Sequence, residues 1–177
     1  ALVDREEGPD TGDLLLQRKL DILPNDTGGL LLDRLAAIAP DALDDALDQL
    51  SRKIAPRHPQ DSTLATSAPK LMREEGQIHW TEPAEVIERK IRAFDPWPGA
   101  FTELTDGHGQ IRQLKIFRAT VIADATGAPG MVSRPNDEVI VATGHGGLRL
   151  DVVPLEGKRR MTASEFFRGF SSPTLRF

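Results

Sequence analysis

Apolar positions change period several times along this chain. Leu14, Leu16 and Leu20 fall on one side of a run broken by Gln17, Lys19 and Asp21, which predicts a strand over 14–22. Asn25-Asp26-Thr27 can cap a helix from Gly28 to Ala39, with Leu31, Leu32, Leu35 and Ile38 as its apolar face. Pro40 then interrupts, and Leu43, Ala46, Leu47, Leu50 and Ile54 recur at three and four, predicting a second helix over 41–53. One strand and two helices cannot bury those faces alone, so this first part is expected to be the end of a larger α/β domain.

From Pro56 to Lys70 prolines and small polar residues dominate, as in a linker. Residues 83–94 return to a helical period. Val86 or Ile87, Ile91 and Phe94 share one face, and Glu85, Glu88, Arg89 and Arg92 the other, with Thr81 as N-cap and Pro83 in the first turn. Both tryptophans flank this helix, and Trp97 stands between two prolines, so 95–98 reads as a stiff extended elbow. Five short β segments follow, at 100–105, 111–122, 131–134, 138–143 and 148–154, separated by Asp106-Gly107, Thr126-Gly127, Pro135-Asn136-Asp137 and the hairpin turn Gly144-His145-Gly146-Gly147. Thr162-Ala163-Ser164-Glu165 is a capping box for a last short helix, whose Phe166, Phe167 and Phe170 can pack on the strands. The expected class is α+β: the tail of a Rossmann-like domain (1–59), a linker (60–78) and a small OB-like β-barrel with flanking helices (79–177).

Charge refines this picture. Residues 1–60 hold 12 acidic and 7 basic side chains, so the whole net charge of −5 lies there and the remainder is neutral. An acidic chain can therefore still grip a polyanion through the local clusters Arg89-Lys90-Arg92 and Lys158-Arg159-Arg160, although such clusters are also ordinary solvated faces. No cysteine is present, and the four histidines lack metal-ligand spacing, so no metal site is expected. No apolar run reaches bilayer-spanning length and no signal peptide is recognisable; a cytoplasmic, soluble protein is expected, and nothing demands more than a monomer. The first residue is Ala1, and upstream sequence is expected to be missing.

Asp10 is the main candidate for chemistry. It sits in the Gly/Pro-rich turn 8–13, where a carboxylate can act as a general base or hold a water. An Asp accepting backbone N–H bonds within its own turn is the competing reading. Gly144-His145-Gly146-Gly147 has no following helix and no P-loop lysine, so it is a turn rather than an anion loop.

Five stretches together resemble the methionyl-tRNA formyltransferase family: Gly8-Pro9-Asp10-Thr11-Gly12-Asp13; Asp26-Thr27-Gly28; Ala68-Pro69-Lys70-Leu71 with Glu74 to Trp80; Arg92 to Ala100; and Gly157 to Phe166. They cover nearly the whole chain in the family's order. The resemblance implies a Rossmann-like domain for 10-formyltetrahydrofolate, a linker, and an OB-like domain that helps hold the initiator methionyl-tRNA. It implies an Asn, a His and an Asp in catalysis, the Asp matching Asp10, with Gly8 and Pro9 beside it at the folate; Pro9 stands where the family commonly has Leu. The Asn and the His have no counterpart in this chain, so on this resemblance it is a fragment that is inactive alone. tRNA contacts fall to Lys70, Arg73, Arg89, Lys90, Arg92, Lys158, Arg159 and Arg160. Sugar-nucleotide formyltransferases share the folate chemistry and the Asp-Pro-Trp-Pro-Gly-Ala corner, and are the nearest alternative. A formyltetrahydrofolate hydrolase-type domain and a non-catalytic OB-type nucleic-acid-binding module are the others.

Overall fold

The computed structural model describes residues 1–4, 10–105, 111–154, 160–168 and 177. The chain divides into two compact units, one of residues 1–24 and 30–70, the other of residues 25–29 and 71–177. The expected turn at Asp106-Gly107 and the expected contact of Phe170 lie outside the described residues.

In the first unit β1 (Leu2–Val3) pairs antiparallel with β2 (Leu14–Leu16). β2 is shorter than the expected strand because β1 offers it only two residues, and Gln17, Arg18 and Lys19 lie exposed beyond. On the other edge of β2, Leu14 and His58 exchange both backbone hydrogen bonds, at 2.9 and 3.1 Å. Gly12 is required there, since a Cβ would fall 1.9 Å from the Asp4 carbonyl oxygen.

Residues 28–51 form one helix, α1 (Gly28–Ser51), with Pro40 inside it, not the two helices expected. Proline removes the bond to the carbonyl four residues back, that of Ala36. Ala36 and Pro40 are both exposed, so water can take that carbonyl and the helix continues. Among its residues only Ala46 is buried; Leu32, Leu35, Leu43, Leu47 and Leu50 are exposed. Arg18 forms an ion pair with Asp45, and Arg57 one with Asp4.

The second unit holds the hydrophobic core. α2 (Ala84–Ala93) buries Ile87 and Ile91 of the expected face, and Ala84 with them, while Phe94 is half-buried and Val86 exposed. Its N-cap is Pro83, not Thr81. The Ala84 N–H donates to the His145 carbonyl at 3.0 Å, so the turn carrying His145 supplies the partner that a capping side chain would have offered. After α2 both Asp95-Pro96 and Trp97-Pro98 bonds are cis. The Gly99 N–H closes on the Phe94 carbonyl at 2.9 Å, so 95–98 is a closed turn and not the extended elbow expected.

β3 (Ala100–Thr105) pairs with β4 (Ile111–Ile116) over six residues, Ala100 opposite Ile116. The expected single strand 111–122 breaks at Phe117, whose N–H turns to the Val152 carbonyl, and β5 (Arg118–Ile122) begins. β6 (Val132–Ser133), β7 (Val139–Ala142), β8 (Gly147–Val153) and β9 (Met161–Thr162) complete a second sheet, ordered β5-β8-β7-β6 with β9 also on β8. Both sheets are open among the described residues, so the closed barrel expected from the sequence is not found; the structure is a mixed helix-and-sheet domain. Gly144 to Gly147 make the β7–β8 turn as read from sequence, with Gly146 at φ +72°.

α3 (Ala163–Phe167) starts at the expected capping box, where the Thr162 hydroxyl accepts from the Glu165 N–H and Glu165 accepts from the Thr162 N–H. Trp80 lies buried in this core. Its indole N–H donates to the Thr102 hydroxyl at 3.0 Å, and its ring stacks on Phe177 at 5.5 Å. Among the described residues no helix is long and apolar enough to cross a membrane.

Candidate nucleic-acid interface

Strand alternation places polar side chains on one face of the β5–β8 pair. Thr120 lies opposite Arg149 and Arg118 opposite Val152, while Ala119, Leu148 and Leu150 are buried on the other side. Arg118, Thr120, Arg149 and Asp151 thus share a wall. A groove of about 720 Å³ opens over it, closed by Glu88 and Arg92 of α2, by Asp95, by Asn25 and Thr27, and by Phe117 and Arg160.

The segment 25–29 forms its part of the wall because two glycines let it approach the end of α2. A Cβ at Gly28 would lie 2.3 Å from the Ala93 carbonyl oxygen. The Gly29 N–H donates to the Asp95 carbonyl at 2.9 Å.

Four arginines line the groove, and three are committed to neighbours. Arg92 bonds Glu88 through Nε at 2.6 Å and the Asp26 carbonyl at 3.0 Å. Arg160 bonds Asp95 at 3.0 Å while its guanidinium lies 3.7 Å over the Phe117 ring. Arg149 bonds Asp151 at 3.0 Å, Glu138 at 3.1 Å and the Thr120 hydroxyl at 3.3 Å. The hydrogen bond and then the charge of Asp151, with Glu138 adding to both, hold Arg149 more firmly protonated than an ordinary arginine. Arg118 differs: its side chain is 72% exposed and its Nε stays 3.9 Å from Asp151.

The sequence-derived basic residues divide. Arg92 and Arg160 meet in this groove. Arg89 and Lys90 line a second hollow of about 510 Å³ with Glu74, Glu75, His79 and Phe94. There Lys90 donates to the Gln77 carbonyl at 2.7 Å and sits 5.8 Å over Phe94, while Arg89 is exposed. Lys70 and Arg73 are exposed. Lys158 and Arg159 lie outside the described residues, as do Gly8 and Pro9.

Sequence reading missed Arg118 and Arg149. They belong to no basic run; only the alternation Arg118-Ala119-Thr120 and Leu148-Arg149-Leu150-Asp151 marks them as facing away from the core.

Asp10, in the first unit, is exposed at φ +57°, a left-handed conformation that Asp tolerates. The Gln60 amide donates to the carbonyls of Asp10 and Gly12 at 2.8 and 2.7 Å, which fixes the turn and leaves its amide off the Asp10 carboxylate. The turn can therefore present one proton acceptor to solvent or to a ligand.

Residues 70–171 match the family of formyl transferase C-terminal domains. A curated methionyl-tRNA formyltransferase of Akkermansia muciniphila is 41% identical over 162 residues, covering 90% of this chain and 52% of its own length. That of Methylacidiphilum infernorum is 42% identical over 166 residues, covering 93% and 52%. The chain spans about half the length of these relatives. Among solved structures, HypX from Aquifex aeolicus superposes with a TM-score of 0.66 at 19% identity, over 93% of this chain and 30% of that one. A HypX structure in complex with tetrahydrofolic acid gives 0.62 at 18%, over 99% and 33%. At that identity the likeness is one of fold. The family match extends over more than half of the residues, and the chain belongs to the formyl transferase family, with residues 70–171 as its C-terminal domain.

Proposed function

We propose that this chain serves the transfer of a formyl group from 10-formyltetrahydrofolate to the α-amino group of methionyl-initiator tRNA, in the cytoplasm at translation initiation. The observation that carries the reading is the identity of 41–42% to enzymes named methionyl-tRNA formyltransferase, sustained over at least 90% of the chain. This favours the aminoacylated tRNA as acceptor over a sugar nucleotide. The HypX complex with tetrahydrofolic acid supports a folate as donor.

Residues 1–59 are read as the tail of a Rossmann-like formyltransferase domain, residues 60–78 as the linker, and residues 79–177 as an OB-type module. The exposed leucines of α1 support that reading, because a helix with such a face is stable when another layer covers it.

In the reaction the methionyl nitrogen attacks the formyl carbon. A C–N bond forms there, the bond from that carbon to N10 of the folate breaks, and the nitrogen's proton must leave. Asp10 is the acceptor or relay for that proton, and the departing N10 takes up a proton in exchange, so that tetrahydrofolate leaves as the neutral amine. The oxyanion formed on the way needs hydrogen-bond donors, which the family resemblance assigns to an Asn and a His that match no residue of this chain. The 177 residues alone are therefore inactive on this reading.

The second unit holds the tRNA. Exposure supports Arg73 and Arg89 as its phosphate contacts, and Lys70, the last residue of the first unit, as a further one; Lys158 and Arg159 join them on sequence grounds. Lys90, Arg92 and Arg160 have internal partners and act by shaping the surface. Anisotropy titration of labelled initiator tRNA with the chain tests this. Binding that weakens steeply with added salt is expected, with no formylmethionine formed when 10-formyltetrahydrofolate is supplied. Absence of binding at low salt would refute the tRNA-holding role. Normal turnover would refute the assignment of oxyanion donors outside this chain.

A further inference from the structure

Among the described residues the groove over β5 and β8 carries four arginines, and their charge is nearly balanced by carboxylates. Glu88, Asp95 and Asp151 line it too, and each is bonded to an arginine. An arginine hydrogen-bonded to a carboxylate has less to offer a passing anion, because taking the anion means weakening the pair. Arg118 is not so placed. The oxygen of Asp151 nearest to it already accepts from the Thr120 hydroxyl at 2.8 Å, and the other accepts from Arg149. At 3.9 Å Arg118 forms a loose ion pair with that carboxylate, beyond hydrogen-bond distance.

The backbone points the same way. The β5–β8 register shifts between Arg118 and Ala119, directly after the break at Phe117. Such an irregularity re-aims the side chain beside it, and it leaves Ala119 in the core while Arg118 extends into solvent over the groove.

We propose that Arg118 is the phosphate-contacting residue of this groove, taking a single backbone phosphate of the bound tRNA, while Arg92, Arg149 and Arg160 hold the walls. The proposal rests on the reading of the second unit as a tRNA-holding module. It narrows four arginines to one counterion released. The planar fork of Arg118 matches two phosphate oxygens, and its one positive charge matches the one negative charge of a phosphodiester.

The test compares the chain with R118A and R118K in binding initiator tRNA across a series of KCl concentrations, with the near-UV signal of buried Trp80 as the control for folding. R118A is expected to lower the slope of log K against log salt by about 0.7 to 0.9, the contribution of one phosphate contact. The affinity advantage of the unaltered chain over R118A then shrinks about threefold between 50 and 200 mM salt. R118K keeps the charge and retains the slope. An unchanged slope in a folded R118A that still binds tRNA would overturn the assignment to Arg118 alone. Loss of tRNA binding by the unaltered chain at low salt would instead overturn the reading beneath it. Inorganic phosphate at matched ionic strength should not displace the tRNA; displacement that depends on Arg118 would assign the groove to a free anion and overturn the proposal for RNA.

Discussion

Arg92 offers a sharp test of the groove's construction. Its Nε holds Glu88 one turn back on α2, and its terminal nitrogen holds the Asp26 carbonyl. It is therefore the side chain that ties α2 to the segment 25–29. Arg92 and Glu88 are only 25% and 21% exposed, so solvent screens the pair incompletely. An i,i+4 pair contributes about 0.5 kcal/mol. A hydrogen bond from a charged donor contributes about 1.5 kcal/mol at the low end of its range. R92A is thus expected to cost the second unit about 2 kcal/mol. R92K keeps the charge but cannot span both partners, and should recover about half of that loss. Urea unfolding followed by tryptophan fluorescence is the assay, because both tryptophans, Trp80 and Trp97, belong to the second unit. The midpoint should fall with the slope unchanged. A loss below about 0.5 kcal/mol would mean that Arg92 is an ordinary surface arginine, and that the groove wall does not depend on it.

Three further outcomes follow from the same structure. W80F leaves the Thr102 hydroxyl, 3% exposed, without its donor, and should cost about 2 kcal/mol in urea unfolding, with a large part regained in W80F/T102V; additive losses would refute the hydrogen-bond account. G28A places a methyl 2.3 Å from the Ala93 carbonyl oxygen and should destabilise the second unit by about 1 to 3 kcal/mol, against no change if the segment can shift freely. Asp61 accepts hydrogen bonds from the Thr63 hydroxyl and then the Thr63 N–H, which hold its carboxyl below the ordinary 3.8. A lowered value means that its stabilisation is complete above the unfolded value and is lost as pH falls through the folded one. A carboxyl NMR titration should give a midpoint below 3.8, rising toward the ordinary value in T63A but staying below it, because the N–H of residue 63 still donates.

Much of the second unit was legible because its pattern is local. The helical spacing of Ile87 and Ile91 and the Thr162–Glu165 capping box each act within about one turn of chain. What the sequence concealed depends on partners distant along it. Thr81 was the better capping residue by type, but the His145 carbonyl reached Ala84 first in space. Pro40 reads as a stop, yet a proline whose orphaned carbonyl faces water does not end a helix. Residues 111–122 look like one strand, and only the pull of Val152 on Phe117 shows where it bends. The groove was hidden for the same reason. Arg118 and Arg149 are 31 residues apart and neighbours only through the β5–β8 pairing, so a search for runs of basic residues found 89–92 and 158–160 instead. Asp10 was visible as a turn residue, and its backbone is left-handed, with its carbonyl accepting from the Gln60 amide.

The central claim is that the second unit receives an RNA phosphate in a groove where, among the described residues, Arg118 is the most exposed arginine and only loosely paired, 3.9 Å from Asp151. The most direct measurement follows the arginine Nε–H signals of the 15N-labelled chain as initiator methionyl-tRNA is added at low salt. The account predicts that Arg118 shifts or broadens first, while Arg92 and Arg149, whose Nε groups are already bonded to Glu88 and Asp151, move little. Equal perturbation of all three, or an Arg118 signal unmoved at saturating tRNA, would contradict it.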